Sequence, residues 1–171
     1  MSDTIDIAMP CRKWSKTVPD VERMCRRFAR AALAAPPPSA GQVPSEPRNL
    51  CVALADDEAA HDLNRRFRGI DKPTNVLSFP AHGQDTDRDA DPSGLGDVMI
   101  AYETTVAEAK AQGIAVADHL AHLVVHGVLH LRGYDHERPG EADAMETLET
   151  DILARFGISD PYAGTTMGLP P

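Results

Sequence analysis

The sequence predicts an α+β fold in which a small mixed β-sheet of about four strands is covered by about five α-helices. Short apolar stretches of strand length occur in four places, and apolar residues recur at helical spacing in five others. The size agrees with this class, because a chain of 171 residues with 42% hydrophobic and 25% charged content can form a core that needs no disulfide or metal cross-links for stability. We therefore expect residues 1–171 to form a single domain.

The predicted elements follow the order β-α-β-α-β-β-α-α-α. Strands are expected around Ile5 and Ile7, at 50–55, at 76–79 and at 98–102, and helices at 21–32, 57–68, 103–112, 117–131 and 139–156. Thr17 and Asp20 are spaced like a capping box, and Asp56 stands where an N-cap is expected. Segments 36–48, with five prolines, and 81–94, with four aspartates, are predicted to be surface loops.

The formal net charge of −9 is unevenly distributed. Residues 81–94 and 137–160 carry nearly all of it, whereas residues 1–80 hold 12 basic and 10 acidic side chains. Such acidity argues against a broad surface for duplex nucleic acid, but it does not exclude a local phosphate site.

The sequence also bears on cellular location. No stretch approaches the roughly 18 consecutive apolar residues of a membrane span, and no secretory signal is apparent. The cysteines Cys11, Cys25 and Cys51 form no CxxC pair, which is typical of reduced thiols. We expect a cytoplasmic protein with no membrane partner.

The run HGVLHLRGYDH contains three histidines that are spaced like metal ligands. His126 and His130 are one helical turn apart, and Gly133 is placed to reverse the chain so that His136 returns toward them. Three protein nitrogens with an open fourth position are typical of a catalytic zinc site. The same donors also accept nickel or copper.

Other interpretations of the histidines are open. The helix could be a histidine-rich core helix, and His122 could replace His136 as a ligand, although three successive turns converge poorly. We expect His119 and His122 to have supporting roles. The spacing also matches the HExxHxxGxxH pattern of zinc peptidases, but Gly127 stands where those enzymes carry their glutamate base.

The run also resembles the signature of the YbeY family of bacterial rRNA-maturation endoribonucleases. Three other stretches are similar to that family: LNRRFRGIDKPTNVLSFP (63–80), LGDVMI (95–100) and METLETDILARFGISDPY (145–162). The similarity runs from about residue 50 to 162, and segments 36–48 and 81–94 depart from it.

The resemblance implies a metal-dependent, single-strand-specific endoribonuclease that acts in 3′-end maturation of small-subunit ribosomal RNA and in ribosome quality control. It implies one zinc ion on His126, His130 and His136, and a functional arginine at Arg68. The implied partners are ribosomal RNA precursors, the small ribosomal subunit and ribosome-assembly factors. Two alternatives are a metal-stabilised assembly factor with little catalysis and a zinc peptidase.

Three further expectations concern single residues. Asp97 is expected to be structural rather than to orient a ligand histidine, and Ser78 either packs or lines a groove. The four phenylalanines are expected on core faces: Phe28, Phe67, Phe79 and Phe156.

Overall fold

The structure is a computed structural model that describes residues 3–35, 49–69, 74–80, 94–134 and 139–161. Loop 36–48 and residues 81–93 of the second predicted loop lie outside this part of the chain. His136 lies outside it as well.

The described residues form four strands and six helices. In chain order these are β1 (Thr4–Ala8), α1 (Lys13–Thr17), α2 (Val21–Leu33), β2 (Asn49–Ala55), α3 (Asp57–Arg68), β3 (Val76–Pro80), β4 (Gly94–Ala101), α4 (Tyr102–Gln112), α5 (Val116–Leu131) and α6 (Pro139–Arg155). The predicted α+β class and the four strands are confirmed. The additional helix, α1, is a single turn around the fully buried Trp14, whose indole N–H donates to the carbonyl of Ala55 at 2.9 Å.

The four strands form one mixed sheet in the order β1-β2-β4-β3. The first three are parallel, whereas β3 runs antiparallel to β4 at the edge of the sheet. The prediction for the last strand was wrong at both ends, since β4 begins at Gly94 and Tyr102 already belongs to α4.

Helices pack on both faces of the sheet. Val98 and Ile100 of β4 belong to the main core, which they share with the apolar side of α5. Successive residues of a strand face opposite sides. Accordingly, Ala101 of β4 joins a smaller cluster with Leu77 of β3 and Ala60 of α3. The sheet therefore separates α5 from α3.

The ends of the helices agree only partly with the predicted caps. Asp56 caps α3 as expected, because its side chain accepts from the Ala59 N–H, and α3 ends at Gly69 with a φ of 66°. The predicted capping box on Thr17 and Asp20 is wrong. Asp20 adopts a φ of 52° without a side-chain cap, and its proposed partner Thr17 instead has its hydroxyl 2.6 Å from that of Tyr102.

Helices α3 and α4 cap each other. The parallel strands β2 and β4 deliver both helix N-termini to the same edge of the sheet. There the Glu103 carboxylate accepts from the Asp57 backbone N–H at 2.8 Å. In return, the Asp57 carboxylate accepts from the Thr104 backbone N–H at 2.8 Å and from its hydroxyl at 2.7 Å. Each acidic side chain thus satisfies the first turn of the other helix.

The exposure of several side chains tests further predictions. All three cysteines are free thiols, as expected. Phe28 is buried, but Phe67 is 67% exposed, so its assignment to the core was wrong. Within the described ranges no single helix is long and apolar enough to cross a membrane; α4 and α5 meet that test only as a pair bent by 118°.

Candidate metal centre

One face of α5 carries four histidines in succession: His119, His122, His126 and His130. The centroids of consecutive rings are 6.2, 6.1 and 4.5 Å apart, so the rings come closest at the C-terminal end of the helix. The opposite side of α5 is apolar and buried in the main core. Because the core holds α5 in place, the row of imidazoles is carried by a rigid helix.

The rings of His126 and His130 face each other through their Nε2 atoms, which are 3.1 Å apart. The Nδ1 atom of His126 lies 2.6 Å from Oε1 of Glu149, and the Nδ1 atom of His130 lies 3.0 Å from the carbonyl oxygen of Tyr134. An ionised carboxylate and a carbonyl can only accept, so each Nδ1 must carry the hydrogen. In their neutral forms both rings then have unprotonated Nε2 atoms that face each other.

This pair of nitrogens suits a metal ion. Two facing lone pairs repel, and a cation bound to both removes the repulsion. Zinc–nitrogen bonds of about 2.0–2.1 Å in a tetrahedral site place two ligand atoms roughly 3.3 Å apart. The Nε2 separation of His126 and His130 is close to that value. The third predicted ligand, His136, is outside the described residues, and its assignment stays a prediction.

The turn after α5 holds one of these two rings. Gly133 has a φ of 99°, and the Tyr134 N–H donates back to the Leu129 carbonyl at 3.1 Å, which closes the helix as the sequence predicted. The same turn brings the Tyr134 carbonyl to the Nδ1 of His130. The glycine turn therefore also fixes the tautomer of His130.

Glu149 of α6 is a central residue that the sequence analysis missed. Its side chain is fully buried, and its second oxygen, Oε2, lies 2.9 Å from Nε2 of His122. Burial alone would raise the pKa of Glu149, but the hydrogen bonds from His122 and His126 outweigh it and lower the pKa to about 2. One buried carboxylate thus holds two imidazoles of α5.

A sequence signal for Glu149 did exist. The residue lies four positions after Met145 and three before Ile152, both of which are buried. A glutamate on the apolar side of an amphipathic helix needs a partner in the core. The imidazoles of α5 are that partner.

A second placement of an ion is also available. His122, His126 and Glu149 offer ligand atoms within 4.8 Å of one another, and this group could hold a metal ion. The two placements use opposite edges of the His126 ring, Nδ1 toward Glu149 and Nε2 toward His130.

The first histidine of the row has a different environment. His119 is 4% exposed, and its Nε2 lies 2.9 Å from Oε1 of Glu108 on α4. Asn75 donates to the same oxygen at 2.9 Å. Burial would raise the pKa of Glu108, but the hydrogen bonds from His119 and Asn75 lower it. His119 therefore ties α5 to α4.

Gly127 faces the sheet. A Cβ atom at this position would lie 2.6 Å from Cγ1 of Val98 and 3.3 Å from Oγ of Ser78. The Ser78 hydroxyl donates to the Gly127 carbonyl at 3.0 Å, so Ser78 is a packed polar residue. The position that carries the glutamate base in zinc peptidases has no room for a carboxylate here.

The remaining predicted residues are less closely connected to the histidines. Asp97 is exposed and adjoins Val98, which faces α5, so Asp97 points to the opposite side of the sheet and does not orient a histidine of α5. Arg68 is the last residue of α3. Its side chain is outside the described part of the structure, and its role stays a prediction.

Comparison with known proteins identifies relatives along most of the chain. The family model described as Endoribonuclease YbeY matches residues 12–157, so the relationship begins well before residue 50, where the motifs placed it. The Endoribonuclease YbeY of Paramagnetospirillum magneticum is 50% identical over 167 residues, which is 95% of this chain and 98% of that protein. That of Rhodospirillum rubrum is 52% identical over 153 residues, 88% and 76% of the two chains.

A solved structure has the same fold. The solution structure of TM1509 from Thermotoga maritima aligns with a TM-score of 0.52 and 22% identity, covering 98% of this chain and 100% of that one. Together with the family model and the two relatives, this leads to one conclusion. The chain belongs to the Endoribonuclease YbeY family.

Proposed function

We propose that the chain is a zinc-dependent endoribonuclease that is specific for single-stranded RNA. The observation that carries the proposal is the pair of Nε2 atoms on His126 and His130, 3.1 Å apart, whose Nδ1 atoms are both bonded to acceptors. The family of the chain supports RNA as the substrate, because the curated relatives are named endoribonucleases.

His126, His130 and His136 would hold the metal. When bound there, zinc would lower the pKa of a water molecule and polarise a phosphoryl oxygen. Glu149 and the Tyr134 carbonyl orient His126 and His130 by accepting from their Nδ1–H groups. Such partners fix the ring orientation and raise the basicity of the ligand nitrogen.

Arg68 would bind the scissile phosphate. A guanidinium offers two parallel donors to phosphate oxygens and meets the negative charge that grows in the transition state. Arg68 is the last residue of α3, and the next described element along the chain is β3, the strand that contacts α5, which supports this role.

The biological setting follows from the family resemblance. We propose that the substrate is precursor ribosomal RNA, that the enzyme acts in 3′-end maturation and ribosome quality control, and that it works in the cytoplasm with the small ribosomal subunit and assembly factors. The free cysteines support a reducing compartment.

A metal-stabilised assembly factor is the second candidate. The buried Glu149 connects α6 to two histidines of α5, so an ion in the His122, His126 and Glu149 group would stabilise the packing of these helices. A peptidase has no such support, because Gly127 packs against the sheet.

The test is His130→Ala, examined for zinc content, thermal unfolding and cleavage of single-stranded RNA. An enzyme should lose zinc and cleavage while keeping its fold, and His61→Ala on α3 should change neither. Loss of fold together with zinc would favour the assembly factor. Zinc retained at the wild-type affinity would overturn the ligand assignment.

A further inference from the structure

An exposed aromatic ring lies on the other side of the edge strand from the metal centre. Phe67 is 67% exposed and, with Ile114, is one of two large exposed apolar side chains in the described residues. It packs edge-on against Phe79 of β3, with ring centroids 6.1 Å apart and planes at 69°. Phe79 in turn contacts the small cluster around Leu77. The Phe67 ring is therefore anchored on one side and open to solvent on the other.

Basic residues flank Phe67 in the sequence of α3. Arg66 and Arg68 precede and follow Phe67 in α3, so their positions lie about 100° to either side of it around the helix. The Arg66 side chain is 68% exposed, and its contact with Asp62 is a long 3.7 Å. Proteins that bind single-stranded RNA combine these two features, because bases stack on the ring and phosphates bind the cations.

The ring is connected to the histidine helix through β3. Ser78 donates to the carbonyl of Gly127, the residue after His126, and Phe79 is the next residue of the strand. Since alternate residues face opposite sides, Ser78 contacts α5 while Phe79 faces the side of α3. A flexible chain can bend around β3, because this strand forms the edge of the sheet.

We propose that Phe67 is a stacking platform for one unpaired base of the RNA near the scissile phosphate. The proposal rests on the endoribonuclease function proposed above. Stacking on Phe67 would favour single-stranded RNA, because the bases of a duplex are already stacked on each other. Every base has a π face, so we expect little sequence preference at this position. The exposed Asp97, paired with Phe79 across the sheet, would keep the phosphates on the arginine side.

The test asks whether the Phe67 ring interacts with one particular base of the RNA. Binding of a short labelled single-stranded RNA is measured by fluorescence anisotropy for the intact oligonucleotide and for a series in which each base in turn is removed. Wild-type protein should bind about five- to 150-fold more weakly when the missing base is the stacked one. Phe67→Ala should bind the intact RNA more weakly by a similar factor and be insensitive to that missing base.

Matched variants separate stacking from packing. Phe67→Trp should retain the affinity, and Ile114→Ala should bind like the wild type. Phe67→Leu keeps apolar contact with Phe79 but lacks a π face, so it should resemble Phe67→Ala. If Phe67→Leu binds like the wild type, the ring only covers the Phe79 cluster and the proposal is wrong.

The outcomes also separate this proposal from the one it rests on. If wild-type protein neither binds nor cleaves RNA, the endoribonuclease function fails, and the platform fails with it. If the wild type cleaves RNA but Phe67→Ala binds each oligonucleotide as tightly as the wild type does, only the platform is refuted.

Discussion

Glu149 offers the sharpest test of how the proposed metal ligands are held. Its two oxygens accept from His126 and His122 at 2.6 and 2.9 Å. Glutamine has one acceptor oxygen, so Glu149→Gln satisfies one imidazole N–H and turns an NH₂ group toward the other ring. If that ring is His126, its proton must move to Nε2, which then cannot bind the metal. Glu149→Leu removes the acceptor for both rings.

The expected magnitude follows from these contacts. Loss of a partner that orients a metal ligand weakens metal binding by about 10- to 100-fold, or roughly 1.4–2.7 kcal/mol. We expect Glu149→Gln near the lower value, because its oxygen can still serve His126 while His122 changes tautomer. Glu149→Leu should lie near the upper value. Zinc affinity is measured by competition with a chelator, and RNA cleavage is measured at saturating zinc.

Glu146→Gln is the control, since this residue lies three positions earlier on the same helix and is only half-buried. Wild-type zinc affinity in both Glu149 variants would refute the positioning role. If Glu149→Leu abolishes zinc binding while His130→Ala leaves the affinity unchanged, the ion lies between His122, His126 and Glu149 instead.

Other predictions concern the packing of Gly127, the role of Arg68, the pH dependence that Glu149 causes, and the acidic segment 81–93. Gly127→Ala should lower the free energy of unfolding by about 1–3 kcal/mol in urea titrations, because the new Cβ would lie 2.6 Å from Val98, and Gly127→Glu should show no turnover of a peptidase substrate. Arg68→Ala should keep zinc and fold but cleave saturating RNA about 10²- to 10³-fold more slowly, whereas Arg66→Ala should weaken RNA binding only; an equal loss of its cleavage rate would indicate a diffuse positive potential. The pKa of Glu149 falls from its ordinary 4.5 to about 2, so the stability that its carboxylate gives the fold is complete above pH 4.5 and is lost as the pH falls toward 2. Over that interval the free energy of unfolding, measured in urea, should fall more steeply in the wild type than in Glu149→Gln. Shortening 81–93 to a few glycine and serine residues should change the melting temperature little, and a variant that fails to fold would show that this segment is packed.

Local patterns in the sequence account for most of the described fold. Helices such as α3 and α5 have strong apolar periodicity, and the Asp56 cap and Gly69 stop mark the ends of α3. The start of β4 was missed because Gly94, Gly96 and Asp97 are poor strand formers, and pairing with β2 overrides that preference. One-turn α1 is too short for any periodicity.

The candidate site likewise has one part that the sequence predicts and one part that it does not. His126 and His130 are four residues apart on one helix, so their proximity follows from the helical repeat. The contact between His126 and Glu149 spans 23 residues and depends on how α6 docks on α5, which spacing alone does not determine. Phe67 lies on the predicted inner side of α3, but the sheet ends there, and periodicity cannot show what lies beside a helix.

The mutual capping of α3 and α4 has a consequence for where RNA can bind. In open sheets with parallel strands, anionic ligands commonly bind at the carboxyl ends of the strands, where helix N-termini present unpaired N–H groups. Here Asp57 and Glu103 occupy that position and bond to those N–H groups themselves. An approaching phosphate would meet two carboxylates instead of two helix dipoles. The protein thereby closes the anion pocket that its own topology creates, which leaves the polyanion to the side chains along the lateral edge of the sheet that β3 forms.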